Sequence, residues 1–160
     1  MLANVLRFVL LVLFGLLAGT MFGIWVGYDP AGLSASAYVE QQQGAIRALN
    51  TVLPAMGAVC IVTTLWLAGL SRRDPRSRYL YAGAVLLMLV AALVTRFGNQ
   101  PINAVVMSWS PQSPAADWAQ LRDLWWQWHG LRAAAGVGAL VLVALAVLGA
   151  RNPHAPRLWR

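Results

Sequence analysis

Residues 4–27 read NVLRFVLLVLFGLLAGTMFGIWVG, an apolar run that contains one charged residue, Arg7. A helix of about 20 apolar residues is long enough to cross the hydrocarbon core of a bilayer. The run has no small-residue cleavage site, which favours a retained helix over a signal peptide. Three further apolar runs follow, and together they predict membrane spans at about 4–27, 45–70, 79–98 and 119–150. The sequence thus predicts an all-α protein, a single integral membrane domain over residues 1–160 built as an antiparallel four-transmembrane-helix bundle.

The placement of the arginines predicts the topology of this bundle. All 12 basic residues are arginines; four crowd residues 71–78 and three lie after residue 150. Four of the five acidic residues fall instead in the segments at about 28–47 and 98–129. Because cytoplasmic loops carry the excess of positive charge, we expect both termini and the 71–78 loop in the cytoplasm, in a bacterial inner membrane. The net charge of +7 is explained by arginines that flank the spans, so it does not indicate a nucleic-acid-binding protein. The expected partner is the lipid bilayer.

The single cysteine and the spaced glycines have structural interpretations. Cys60 lies mid-span and cannot form an intrachain disulfide, and the chain has no Cys/His zinc spacing. Gly15, Gly19 and Gly23 recur every four residues, a spacing that allows close helix contact. We expect this glycine face to pack inside the bundle, although the same face also suits a homo-oligomer or a partner in a membrane complex.

Two prolines are expected to shape the helices. The polar segment from Tyr38 to Asn50 is predicted to run on into the second span, with Pro54 kinking one continuous helix. Pro101 lies just beyond the third apolar run, where we expect the third helix to end.

The segment from residue 96 to residue 132 is the candidate functional region. It reads RFGNQPINAVVMSWSPQSPAADWAQLRDLWWQWHGLR and places polar side chains at the mouths of two spans. Polar and ionisable groups near hydrocarbon are costly unless they face a cavity or each other. Trp25, Trp109 and Trp126 are also typical of tryptophans that anchor a protein at the membrane interface.

Helical spacing predicts that three helix ends share one outward-facing pocket. The fourth helix carries a stripe at spacings of 4, 3, 4 and 3, made of Trp118, Arg122, Trp125, His129 and Arg132. The second helix carries a comparable stripe, made of Glu40, Gln43, Arg47, Asn50 and Pro54. Since a buried arginine stays charged and needs an anion or carbonyls, we expect Glu40 to pair with Arg132 or with Arg47. A pair of asparagines, Asn99 and Asn103, completes the predicted pocket where the third helix ends.

These residues resemble the anthrone oxygenase-like family of small four-helix integral membrane proteins. The resemblance rests on Asn99-x-Pro101-x-Asn103, on Trp109 six residues later, and on a second element, Trp125-x-x-x-His129-x-x-Arg132. It extends over nearly the whole chain in length and helix count.

The resemblance implies oxidation of an anthrone- or quinone-type phenolic small molecule with O2. By analogy His129 would abstract a substrate proton, and Arg132, Asn99 and Asn103 would stabilise the resulting enolate or phenolate. A carbanion of this kind reacts with O2 without a metal, so this interpretation requires no cofactor. The residues expected to bind the hydrophobic aromatic substrate are Trp125, Glu40, Arg47, Gln43 and Trp109.

Two other functions stay open at the level of the sequence. The first is a haem-binding membrane protein with His129 as an axial ligand and Arg132 near a propionate. The second is a non-enzymatic protein, either a small-molecule binder or an accessory subunit of a membrane complex. Zinc lacks ligands in either case.

Overall fold

The computed structural model describes residues 2–149, and these residues form helices and turns without a β-strand. The helices are α1 (Leu2–Gly27), α2 (Ala35–Leu49), α3 (Val52–Leu70), α4 (Pro75–Val94), α5 (Gln100–Met107) and α6 (Trp118–Gly149). A 3₁₀ turn at Pro30–Gly32 follows α1, and a π-helical turn at Thr95–Asn99 joins α4 to α5.

Four stretches of the described chain are long and apolar enough to cross a membrane. They are Leu2–Gly32, Val52–Leu70, Pro75–Met107 and Trp118–Gly149. The predicted all-α fold with four helices able to span a membrane is therefore confirmed for the described residues. The side of the membrane on which the termini lie stays a prediction, and residues 150–160, with the three tail arginines, lie outside the described residues.

The second span begins later than predicted, because the helix is interrupted by a turn before Pro54. Asn50 and Thr51 form a turn, so α2 and α3 are separate helices rather than one kinked helix. Proline lacks an N–H and its ring clashes with the carbonyl four residues earlier. Pro54 occupies the third position of α3, where the N–H has no partner within the helix. Ending α2 at Leu49 thus avoids the clash that a continuous helix would contain.

The third span runs past Pro101, contrary to the predicted end near residue 98. The π-helical turn widens the backbone just before this proline, and the Gln100 N–H bonds to the Thr95 carbonyl, five residues back. The wider turn moves the preceding carbonyls away from the proline ring, so the helix continues as α5. The bulge also changes the phase between the side chains of α4 and those of α5.

Two apolar clusters hold the bundle at its two ends. The larger lies towards the 71–74 loop and includes Leu10, Phe14, Tyr81 and Val143, contributed by three helices. The second lies at the opposite end, where Tyr38 and Val39 of α2 pack with Ile102, Val106 and Trp125. The extent of the contacts between α4 and α6 and between α1 and α6 makes α6 the central helix. The space between the two clusters contains the candidate site.

The glycine face of α1 does not pack inside the bundle, so that prediction is wrong. Gly15, Gly19 and Gly23 are exposed, and a Cβ at any of them would meet nothing within 4 Å. The close approaches occur elsewhere. A Cβ on Gly98 would lie 2.6 Å from Trp128 Cγ, and one on Gly136 would clash with the end of the Met21 side chain. Glycine spacing alone did not reveal which face of α1 is buried, because Phe14, Leu17 and Met21 fill that face.

Candidate functional site

A cavity of about 600 Å³ lies between the two apolar clusters and is bordered by all six helices. Its lower wall is apolar, with Leu17 and Met21 of α1, Gly57 of α3 and Met88 of α4. Polar side chains occur among its lining residues, and these are Tyr28, Gln41, Gln42, Asn50, Thr95, Arg96, Gln100, Asn103 and Arg132. None of the residues that line it is an aspartate or a glutamate, so its ionic side chains are cationic.

The ionic centre of the site is a pair made by Arg132 and His129 on successive turns of α6. The Arg132 Nε lies 3.0 Å and its Nη2 lies 2.8 Å from His129 Nδ1. A guanidinium only donates hydrogen bonds, so His129 Nδ1 must be the acceptor. Arg132 lines the cavity, whereas the fully buried His129 lies behind it.

The other side of the His129 ring fixes its tautomer. Nε2 lies 3.0 Å from the carbonyl oxygen of Met21 in α1. A carbonyl only accepts, so the neutral ring carries its proton on Nε2 and its lone pair on Nδ1. The ring also stacks on Trp125 at 5.0 Å and on Trp126 at 5.7 Å between centroids. The histidine therefore holds Arg132 in place and joins α6 to α1.

Arg132 has no carboxylate partner within the described residues. Its guanidinium carbon lies 5.6 Å from the centre of the Trp125 ring, and Nη1 makes no hydrogen bond among residues 2–149. A cation inside the bilayer is costly unless an anion, carbonyls or a cavity accommodates it. The side chain thus presents free N–H donors and a positive charge to the cavity, a combination suited to an anionic or strongly polarised oxygen.

A chain of amides forms the wall opposite the apolar floor. Asn50 and Gln100 exchange two hydrogen bonds, at 3.2 and 2.7 Å between nitrogen and oxygen. Asn103 Nδ2 donates to Asn50 Oδ1 at 3.3 Å, and Asn103 Oδ1 accepts from Trp125 Nε1 at 2.8 Å. This network joins the α2–α3 turn to α5 and α6, and it orients the Trp125 ring towards the cavity.

Asn99 supports the site from behind. Its Nδ2 donates to the Trp125 backbone carbonyl at 3.1 Å, and the side chain is fully buried in the π-helical turn. Its Oδ1 is buried without a partner among the described residues. Asn99 does not line the cavity, so of the two predicted asparagines only Asn103 faces it.

Of the predicted stripe, Asn50 and Pro54 line the cavity, whereas Glu40, Gln43 and Arg47, the part that lies within α2, do not. The face of α2 that lines the cavity is Gln41, Gln42, Ala45, Ile46 and Leu49, because burial of Tyr38 and Val39 sets the rotation of the helix. Glu40 and Arg47 are exposed, and neither the Glu40–Arg132 nor the Glu40–Arg47 pair forms. Both predicted pairings are therefore wrong. Residues three or four apart on a helix share a face, and the face of α2 that carries Glu40 and Arg47 points away from Arg132.

Gln43 and Trp109 lie at the end of the bundle and do not line the cavity. Gln43 Nε2 donates to the backbone carbonyls of Val106 and Trp109, at 3.0 and 2.9 Å. The Val106 carbonyl belongs to the last turn of α5 and the Trp109 carbonyl follows the helix, so the contact caps the end of one helix with a side chain of another. Both residues hold α2 against α5 in this structure.

Sequence reasoning missed Tyr28 and Gln42. The Tyr28 hydroxyl lies 3.3 Å from Gln42 Oε1, and Gln42 Nε2 is buried without a partner among the described residues. Both residues line the cavity. The sequence did contain a signal for Gln42. The apolar pair Tyr38–Val39 predicts that the residue one turn later, Gln42, shares the buried face of α2.

His129 does not fit a haem ligand in this arrangement. Both of its ring nitrogens are hydrogen bonded, and iron would have to displace either Arg132 or the Met21 carbonyl. The described residues also contain no group of three or more His, Cys, Asp or Glu side chains placed to hold a metal ion.

Comparison with known proteins gives one match. The model of a family described as anthrone oxygenase matches residues 43–159 of the 160-residue chain. The matched region contains Asn99, Asn103, Trp125, His129 and Arg132, and it begins within α2. No curated protein and no solved structure matches the chain.

Proposed function

The chain belongs to the anthrone oxygenase family, and on that premise we propose that it uses O2 to oxidise an anthrone-type polycyclic phenol inside the cavity. The observation that carries this proposal is the Arg132 guanidinium, which faces the cavity and has no carboxylate partner among residues 2–149. A phenol or enol that loses its proton becomes the anion that this cation would stabilise. The volume of about 600 Å³ suits a fused three-ring molecule.

The proposed reaction converts the methylene carbon of the anthrone to a carbonyl. Loss of one proton from this carbon gives an aromatic enolate, whose negative charge lies on the oxygen of the opposite ring position. The enolate transfers electrons to O2 and forms a carbon–oxygen bond, which gives a hydroperoxide after protonation. Loss of water from the hydroperoxide yields the quinone, so that anthrone and one O2 give anthraquinone and one H2O.

Arg132 would act on the first step by binding the enolate oxygen through its free N–H groups. Hydrogen-bond donors aimed at a developing oxyanion stabilise the anion most strongly in a water-poor site. The substrate proton would leave to water near Gln41, the exposed polar residue at the edge of the cavity. Trp125 would stack on the ring system, and the Asn103 amide network would hold that indole in place.

His129 has a different role in this proposal from the one that the sequence suggested. A general base needs a lone pair within reach of the substrate proton. The only free lone pair of the neutral ring, on Nδ1, already accepts from Arg132. His129 is therefore proposed as a positioning residue that acts through Arg132, and Asn99 as one that acts through the backbone of α6.

The test is oxygen consumption by the purified protein in lipid nanodiscs with a dihydroxyanthrone as substrate. We expect one anthraquinone formed for each O2 consumed, at a rate above the uncatalysed oxidation. Arg132→Gln should lower kcat/KM by about 100-fold, the magnitude typical of a lost oxyanion donor.

Arg122→Gln is the matched control on the same helix. Arg122 pairs with Asp123 at 2.8 Å and stacks on Trp118 outside the cavity, so its loss should leave kcat/KM unchanged. Product formation no faster than in empty nanodiscs would reject the oxygenase and favour a binding protein or an accessory subunit. A Soret band at stoichiometric intensity in the purified protein would instead support haem binding.

A further inference from the structure

The cavity has a lateral opening between α3 and α4, and we propose that the substrate enters and leaves through it directly from the bilayer. This window is defined by Pro54 and Ala58 on α3 and by Ala92 and Arg96 on α4. The inference rests on the proposed function only for the chemical nature of the substrate. The window itself follows from the packing of the two helices.

At the lower edge of the window, at the level of Gly57 and Ala58, the two helices are in contact. A Cβ on Gly57 would lie 3.7 Å from Met88 Cε and 4.0 Å from Leu17 Cδ2, so α1, α3 and α4 meet at this level. Closer to the loop, Cys60 and Thr64 of α3 are fully buried, as is Tyr81 of α4. These contacts close the bundle and form the floor of the cavity.

Above the window, a pair of amides closes the gap. Asn50 precedes α3 and exchanges two hydrogen bonds with Gln100 at the start of α5. Within α3, the rise from its first residue, Val52, to Gly57 is about 8 Å at 1.5 Å per residue, and the Asn50–Thr51 turn lies above it. A fused aromatic ring system passes edge-on through an opening of this height.

The residues on the sides of the window face both the cavity and the exterior. The four that define it line the cavity and are exposed at the same time. All four belong to membrane-spanning stretches, where an exposed side chain faces lipid. The opposite wall is closed, because Leu17, Met21 and Trp125 are buried.

The charges along this route indicate the class of substrate. Arg96 stands at the rim and Arg132 lies inside, and the lining contains no acidic residue. A flat, apolar molecule with a weakly acidic hydroxyl is soluble in the bilayer as the neutral form and is stabilised by these cations as the anion. A cationic amphiphile of the same size would be repelled at the rim.

The experiment uses the full chain in nanodiscs and a dihydroxyanthraquinone as the probe. The asymmetric cavity induces circular dichroism in the visible band of a bound probe, a signal that the lipid-dissolved probe does not give. Stopped-flow measurement of this signal gives the association and dissociation rates. The variant is Ala58→Phe combined with Ala92→Phe, which fills the window from both sides, and Ala134→Phe on the exposed face of α6 is the control.

We expect the double variant to lower both rates by about tenfold with little change in Kd, because a blocked route slows entry and exit alike. The control should bind as the unmodified protein does. An unchanged association rate in the folded double variant, whether or not the dissociation rate rises and the affinity falls, would overturn the window. If the double variant does not fold, the same rates are measured for Ala92→Phe alone, and an unchanged association rate again overturns the window.

This measurement is independent of turnover. If the unmodified protein has no oxygenase activity but the double variant binds the probe more slowly than it does, the window is supported and the proposed function is rejected. Normal binding rates in an active double variant would reject the window alone.

Discussion

His129 joins α1 to α6 and holds Arg132, the cation that faces the cavity. Its Nε2 bonds to the α1 backbone, its Nδ1 holds Arg132, and its ring lies on two tryptophans. A positioning role and a catalytic role for this histidine predict different behaviour on substitution.

We predict that His129→Ala lowers the free energy of unfolding by about 2 kcal/mol, because the Met21 carbonyl and the Arg132 donors lose their partner. His129→Gln should restore much of this stability and most of kcat/KM, since its amide has one acceptor for Arg132 and one donor for Met21. Unfolding in detergent and oxygen uptake over a range of pH measure the two effects.

A general base gives the opposite pattern for the glutamine variant. An amide does not accept a proton near neutral pH, so His129→Gln would then be as inactive as His129→Ala. The pH–rate profile of the unmodified protein would also have an acidic limb, on which the rate falls as the base is protonated, and the glutamine variant would lack this limb. Either result would show that His129 acts on the substrate proton and not through Arg132.

At the scale of secondary-structure elements, the junction between α4 and α5 shapes the site. The π-helical turn places Asn99 under α6 and lets Gly98 lie against the Trp128 ring. Bulges of this type occur often at functional sites, where they redirect a helix without ending it.

We predict that Gly98→Ala destabilises the protein by about 1–3 kcal/mol, the usual cost of overpacking. The added Cβ would lie 2.6–3.0 Å from three atoms of the Trp128 ring, which the backbone of α6 holds in place. Thermal unfolding in nanodiscs is the measurement. Gly15→Ala is the control, because its Cβ meets nothing within 4 Å and alanine favours the helix.

An unfolding temperature for Gly98→Ala equal to that of Gly15→Ala would contradict this packing. It would mean that Trp128 can move aside, and that the close contact between the π-helical turn and α6 is not needed for stability.

At the scale of the whole molecule, the distribution of charge predicts an orientation in the membrane. Four arginines lie at or beside the loop between α3 and α4, and the opposite end carries acidic residues and the tryptophan-rich start of α6. From the positive-inside rule we expect the arginine-rich loop in the cytoplasm. In that orientation the cavity, whose polar wall lies towards the other end of the bundle, would open in the outer half of the membrane.

We predict that Ser113→Cys reacts with a membrane-impermeant maleimide in intact cells, and that Arg73→Cys reacts only after permeabilisation. Both positions are exposed, and they lie in loops at opposite ends of the spans. Cys60→Ser serves as the background, because Cys60 is buried mid-span. Labelling of Arg73→Cys in intact cells would show that the topology is the reverse of the one proposed.

The membrane fold could be predicted because hydrophobicity acts locally. An apolar run of sufficient length must be a helix in lipid, whatever surrounds it, since its backbone polar groups have no other partner. The family resemblance also rested on local spacing, in Asn99–Asn103 and Trp125–Arg132, and the family match confirms it.

The rotation of each helix and the partners of each side chain were decided only by the tertiary structure. Because Tyr38 and Val39 are buried, Glu40 and Arg47 face outward. The backbone carbonyl of Met21 in α1 accepts a hydrogen bond from His129 Nε2. Such outcomes depend on contacts between residues far apart in the chain, which helical periodicity does not contain. The sequence by itself determined that four helices cross the membrane and that polar groups collect at one end, and packing among those helices decided that Arg132 faces the cavity while His129 lies behind it.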